Sequence, residues 1–121
     1  MKVLLSGGGT GGHINPGIAI AQYIRAQEPD AEILFVGARQ GMEGELIPKA
    51  GFEIRFIEVA GFRRKLSVDT LITIKKMFRG YGQSKKILRE FRPDIVIGTG
   101  GYVCGPVLYA AHRMGIKTLV H

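Results

Sequence analysis

Tryptophan is missing from this 121-residue chain, cysteine occurs once, and no apolar run is longer than a strand. The single thiol, Cys104, rules out an internal disulfide and fits a reducing compartment. Its simplest role is that of a small packing residue near a loop. A transmembrane helix needs roughly 18–20 consecutive apolar residues, and no stretch approaches that. No secretory signal is expected either, because the apolar start runs straight into glycine. Acidic residues are scarce in one place. From Arg63 to Arg92 only Asp69 and Glu90 oppose ten Lys and Arg, a balance of +8, while the rest of the chain sums to −1. This is a near-neutral domain carrying one basic segment.

What the chain has in excess is glycine. Five glycines, Thr10 and His13 fill the seven residues from Gly7 to His13. The run follows a short apolar strand, Val3–Leu5, and precedes Pro16, which can open a helix because its missing N–H is not needed there. Glycines let a backbone press against a ligand, and free N–H groups at a helix start favour negative charge. Strand, glycine turn and helix therefore make an anion site with His13 at its edge.

Further along, strand-like and helical patterns alternate. The Pro16 helix runs to Ala26 with Ile18, Ala19, Ala21, Ile24 and Tyr23 inward. Strands follow at Ile33–Val36 and Glu53–Val59, the second with Ile54, Phe56 and Glu58 on one face. Between them a short helix covers Glu43–Ala50, stopped by Gly51, with Glu43 and Glu45 as its solvated start. A fourth strand, Ile95–Ile97, leads into Gly98–Gly101. A helix from Pro106 to Met114 is stopped by Gly115, and Thr118–Val120 is a fifth strand. Strands separated by single helices predict an α/β fold with a doubly wound, Rossmann-like parallel sheet.

Ligands of such sheets bind at the carboxyl ends of the strands. Two glycine turns leave strand ends here, and facing N–H nests suit a diphosphate. The alternative for the second is a plain strand-to-helix turn. Gly7, Gly9 and Gly12 also satisfy the spacing of a dinucleotide fingerprint. That fingerprint wants an acid after the second strand, where this chain has Arg39; NADP stays open as a lesser reading. A P-loop is excluded, since no Gly-Lys-Ser/Thr follows. His13 reads either as a proton acceptor near neutral pH or as a residue that orients the loop.

Gly8–His13 with Pro16-Gly17 closely resembles the N-terminal signature of the MurG family of bacterial N-acetylglucosaminyltransferases. Gly37 with Met42-Glu43, Leu46–Lys49 and Gly51 looks like its next block. Gly61–Arg63, then Arg92–Asp94 leading to Gly100–Val103 and Gly105-Pro106, resemble the ones after. The resemblance implies the N-terminal half of a GT-B glycosyltransferase. It further implies inverting transfer of GlcNAc from UDP-GlcNAc to the C4 hydroxyl of MurNAc in lipid I, the undecaprenyl-diphosphate-linked acceptor, giving lipid II for peptidoglycan. His13 is then the catalytic base. Thr10, Gly11 and Gly12 contact the donor, and Gly8, Gly9, Gly100, Gly101 and Tyr102 cradle the acceptor diphosphate. No metal and no cofactor are called for.

In the family the strand at Val120-His121 runs on into a second domain. Residues 1–121 are thus expected to be an incomplete, acceptor-binding domain, inactive until a donor domain is supplied in cis or by a partner chain. The stand-alone subunit of a two-chain glycosyltransferase is the alternative; an NADP- or nucleic-acid-binding module is more remote. His112 reads as a helix-end residue, and His121 lies near family residues that line the cleft.

The basic segment has a pattern of its own. Ser67 can cap a helix with Leu71, Ile74, Phe78 and Tyr81 along one side, flanked by Lys75, Lys76, Arg79 and Lys85, and weakened to breaking at Gly80 and Gly82. Apolar residues rimmed by cations suit an anionic membrane surface. The family resemblance implies such a patch on the cytoplasmic face of the plasma membrane. The ordinary alternative is a helix packing these residues into the core. No nucleic-acid motif accompanies the charge.

Overall fold

Val3, Leu4 and Leu5 are at most 1 % exposed although their side chains alternate between faces. A strand apolar on both faces belongs in the middle of a sheet covered on both sides. The computed structural model describes residues 1–8, 11–39, 41–59, 69–101 and 103–121, apart from the side chains of residues 69–73 and 76. It places this strand, β1 (Lys2–Gly7), at the centre of five. The others are β2 (Glu32–Gly37), β3 (Glu53–Phe56), β4 (Ile95–Gly100) and β5 (Lys117–Val120). Their order is β3-β2-β1-β4-β5 and every pairing is parallel. The order reverses between β1 and β4, so the switch point lies at the carboxyl ends of those two strands.

Helices cover both faces. Ile14 and Ala21 of α1 (Gly11–Gln27) and Ile47 of α2 (Glu43–Lys49) pack with Val3, Leu5, Ile33, Phe35 and Ile97. On the other face Ile87 and Leu88 of α3 (Asp69–Phe91), with Val107, Ala110 and Ala111 of α4 (Cys104–Arg113), pack with Leu4, Leu34, Val36 and Val96. Each fully buried Leu or Ile contributes about 1.5–3 kcal/mol of apolar burial.

Several sequence expectations are corrected here. α1 begins at Gly11, so Pro16 lies inside it and Gly11, Gly12 and His13 form its first turn. Ala19 and Tyr23 face solvent, because the buried stripe is Ile14, Gly17 and Ala21. Beyond β3, Ile57 and Val59 are buried while Glu58 is exposed and pairs with Arg79 at 3.5 Å. Glycines 98 and 100 belong to β4 rather than to a loop. α4 starts at Cys104, ahead of Pro106.

α3 passes through Gly80 and Gly82 unbroken. The reason at Gly80 is a close approach: a β-carbon there would run into the Glu58 carbonyl oxygen. Gln83 secures the same contact by accepting the Glu58 N–H at 2.6 Å. The expected cap at Ser67 and the Gly61–Arg63 block lie outside the described residues.

Candidate active site at the sheet switch point

The ladder between β1 and β4 is regular up to Ser6 opposite Gly98 and then slips, so that Gly7 faces Gly100. Thr99 is the extra residue. A bulge re-aims the groups it carries, and here the hydroxyl and the carbonyl of Thr99 both meet His13. The Thr99 hydroxyl donates to the His13 carbonyl at 2.6 Å, and the Thr99 carbonyl lies 3.3 Å from His13 Nδ1. A carbonyl only accepts, so the contact puts the proton on Nδ1 and leaves the Nε2 lone pair of the neutral ring for another partner. His13 is half-buried, in the first turn of α1, where the backbone N–H groups have no intrahelical acceptors.

The missing side chains around this point are occupied by protein. A β-carbon at Gly100 would overlap the His13 imidazole, and one at Gly101 the Gly8 carbonyl. Both glycines also have positive φ, 113° and 89°. Gly8 N–H donates to the Gly100 carbonyl at 3.3 Å, and Gly100 N–H to Cys104 Sγ at 3.1 Å. Two of the N–H groups expected to cradle a diphosphate are thus engaged within the protein, and Gly8 and Gly100 form the frame of the site. Among the described residues, Gly8 of the first turn is in contact with both Gly100 and Gly101 of the second.

Cys104 completes that frame. Its thiol donates to the Ser6 carbonyl at 2.9 Å, and burial pushes its pKa above the ordinary 9.0. Cys104 is buried, as expected of a small packing residue, and its thiol also ties β1 to the end of β4 through these hydrogen bonds.

Glu43 is the residue that sequence reasoning missed. It is no solvated helix start: only 1 % exposed, it accepts the Ala38 N–H at 3.1 Å. β-carbons at Gly8 and Gly37 would both fall on its side chain. Glu45, one turn face away, is exposed and pairs with Lys49 at 3.1 Å. The available signal was the pair of glycines at two strand ends, which leave room for something large beside them.

Of the other predicted residues, Gly11 and Gly12 lie in the first turn of α1, and Gly12 is exposed. Gly9, Thr10 and Tyr102, and the side chains of Leu71 and Lys76, lie outside the described residues. On α3, Ile74, Lys75, Phe78 and Arg79 are exposed, joined by Met77, which the sequence pattern had not singled out. Tyr81 is half-buried, packs on the core and on the Tyr109 ring, and carries the Lys85 ammonium 5.5 Å from its centroid. His112 is exposed near the end of α4. His121 continues the β4–β5 ladder by donating its N–H to the Gly98 carbonyl at 2.8 Å. A cavity of about 300 Å³ beside Arg25, Phe52 and Phe91 opens at the amino ends of the strands, away from this site. Among the described residues no three His, Cys, Asp or Glu side chains cluster closely enough to hold a metal ion. No helix among them is long and apolar enough to cross a membrane.

A parallel sheet in the order β3-β2-β1-β4-β5, with glycine turns and a helix N-terminus at its switch point, defines a Rossmann-like domain of the kind that binds anionic ligands. The family model described as the glycosyltransferase family 28 N-terminal domain matches residues 3–121, and the chain belongs to that family.

The UDP-N-acetylglucosamine–N-acetylmuramyl-(pentapeptide) pyrophosphoryl-undecaprenol N-acetylglucosamine transferase of Acetivibrio thermocellus is 60% identical over all 121 residues, which are 33% of that protein. The crystal structure of Acinetobacter baumannii MurG matches 99% of this chain and 34% of its own, with a TM-score of 0.83 and 30% identity. A UDP-GlcNAc 2-epimerase from Neisseria meningitidis shares the fold alone, with a TM-score of 0.66 at 16% identity over 99% of this chain and 32% of its own. The chain spans about a third of the length of the curated relatives it matches.

Proposed function

We propose that this chain is the acceptor-side domain of an inverting glycosyltransferase that moves GlcNAc from UDP-GlcNAc to the C4 hydroxyl of MurNAc in lipid I. The name carried by its relatives supplies the substrates. The observation that carries the chemistry is the His13–Thr99 contact, which orients the ring and leaves Nε2 as the proton acceptor. His13 takes the hydroxyl proton as the new O4–C1 bond forms; the bond from C1 to UDP breaks, and UDP leaves with the electron pair. A base in this role has to sit within about 2.6–3.2 Å of the hydroxyl.

The start of α1, with Gly11 and Gly12, supplies N–H groups and positive potential for a phosphate-bearing substrate. Thr10 joins them on the donor side. Gly9, Gly101 and Tyr102 line the acceptor diphosphate, while Gly8 and Gly100 shape the floor on which it rests. The donor domain acts in cis or as a partner chain, and residues 1–121 alone do not turn over. Ile74, Met77 and Phe78 on α3, beside Lys75 and Arg79, hold the domain against the cytoplasmic face of an anionic membrane that contains the lipid-linked acceptor.

The test is His13→Ala in the complete enzyme. Turnover should fall at least about a hundredfold with the fold intact, the usual worth of a general base. A loss of only a few-fold would reduce His13 to an orienting residue.

A further inference from the structure

We propose that Glu43 is a positioning residue: its buried carboxylate fixes Gly8 and Ala38, the first residues after β1 and β2, and so holds His13, in the first turn of α1, in working geometry. The inference rests on the glycosyl-transfer reading for its consequence but on Glu43's own contacts for its substance.

Burying a carboxylate is unfavourable unless hydrogen bonds compensate it. This one is only 1 % exposed and sits where two strand ends converge. Oε2 accepts the N–H of Ala38, the first residue after β2. The same oxygen occupies the space a β-carbon would take on Gly8, the first residue after β1. The side-chain stem fills the matching space at Gly37. Glu43 thus reaches from the first turn of α2 across both neighbouring strand ends. Gly8 is in turn tied to the Gly100 carbonyl, and Gly100 lies against the His13 ring. The chain of contacts Glu43–Gly8–Gly100–His13 is continuous.

The carboxylate lies beneath the turn, against backbone. It positions by shape and by accepting the Ala38 N–H. An amide of the same length can do both; a carboxylate one methylene shorter cannot reach.

The experiment compares Glu43→Gln, Glu43→Asp and Glu43→Ala in the complete enzyme by kcat and KM, by thermal midpoint, and by ¹⁵N NMR of the His13 ring. Expected are a kcat within about threefold of the parent for Glu43→Gln and a loss of at least about tenfold for Glu43→Asp and Glu43→Ala, since a misplacement of about 1 Å can cost far more. The Nδ1–H signature of His13 should persist in Glu43→Gln and be lost in the other two. Should these fail to fold, Glu43→Gln alone decides.

A Glu43→Gln as damaged as Glu43→Ala would overturn the proposal by assigning the charge itself a role. So would a Glu43→Asp equal to the parent, or a fall in kcat with the His13 signature unchanged. The NMR signature needs no turnover. If the parent enzyme does not transfer GlcNAc, the functional reading fails while the positioning claim is still judged.

Discussion

His13 and Thr99 clasp each other twice, side chain to main chain in both directions. Thr99 Oγ1 donates to the His13 carbonyl at 2.6 Å, and His13 Nδ1 lies 3.3 Å from the Thr99 carbonyl. Thr99→Val keeps the shape and removes the hydroxyl, and with it the bond to the His13 carbonyl and the longer one, at 3.5 Å, to the Ser6 carbonyl. It should lower stability in urea by about 1 kcal/mol, the net value of one hydrogen bond, and kcat by several-fold. An unchanged kcat would mean that the backbone contact suffices to hold the ring.

Gly80 and Gly82 lie two residues apart in α3 and should respond to alanine with opposite signs. A β-carbon at Gly82 meets nothing within 4 Å, so Gly82→Ala should stabilise by about 0.5–1 kcal/mol, the helix preference of alanine over glycine. At Gly80 the β-carbon would strike the Glu58 carbonyl. Gly80→Ala should therefore destabilise by at least about 1 kcal/mol, as overpacking does. Urea titration of the pair reads both signs directly.

Cys104 should resist thiol reagents in the folded protein. Burial holds its pKa above 9.0, so little thiolate forms near neutral pH. Labelling with a disulfide reagent at pH 8 should be slow and become fast in urea. A group that ionises less readily when folded also withdraws stability once pH rises past its unfolded pKa, because the unfolded chain loses its proton first. The parent should lose stability on going from about pH 8 to pH 10, and Cys104→Ala should lose less over the same range. Equal labelling in both states would contradict this account.

Ile74, Met77 and Phe78 are 43%, 56% and 72% exposed on one stretch of α3. Replacing Met77 and Phe78 by Glu should abolish sedimentation with vesicles containing anionic lipid. Lys75→Glu with Arg79→Glu should weaken it at least about tenfold, each cation near the surface contributing about 1 kcal/mol. High salt should weaken the second effect and spare the first. Sedimentation unaltered in both variants would return α3 to an ordinary surface helix.

The three central strands and the sheet class were legible because buried parallel strands announce themselves as short continuous apolar runs, such as Val3–Leu5 and Ile95–Ile97; β3 and β5, at the two edges of the sheet, have no buried residue and were read from their place in the alternation of strands and helices. The glycine stops at Gly51 and Gly115 were equally plain; both carry positive φ. The start of α1 was misread because proline marks a permissible first turn without requiring one; Gly11 and Gly12 ahead of Pro16 are already helical. Gly80 was misread for the complementary reason. Helix propensity disfavours glycine, but the contact with Glu58 that makes it necessary joins segments distant in sequence. Glu43 is the clearest case. Its surroundings, Gly8, Gly37 and Ala38, come together only through the order of the strands, and nothing local separates it from Glu45, which is exposed.

The bulge at Thr99 has a consequence in time as well as in space. His13 and Thr99 are 86 residues apart in the chain, and the strands that carry them are neighbours only across the reversal in the sheet. Contacts of such long range are slow to form. A nascent chain can pair β1 with β2 and lay α1 against them long before β4 exists. During that interval the imidazole has neither its carbonyl anchor nor a fixed proton. A half-made domain cannot hold the ring in its final orientation, so the geometry on which the proposed base depends comes into being only with the closure of the sheet.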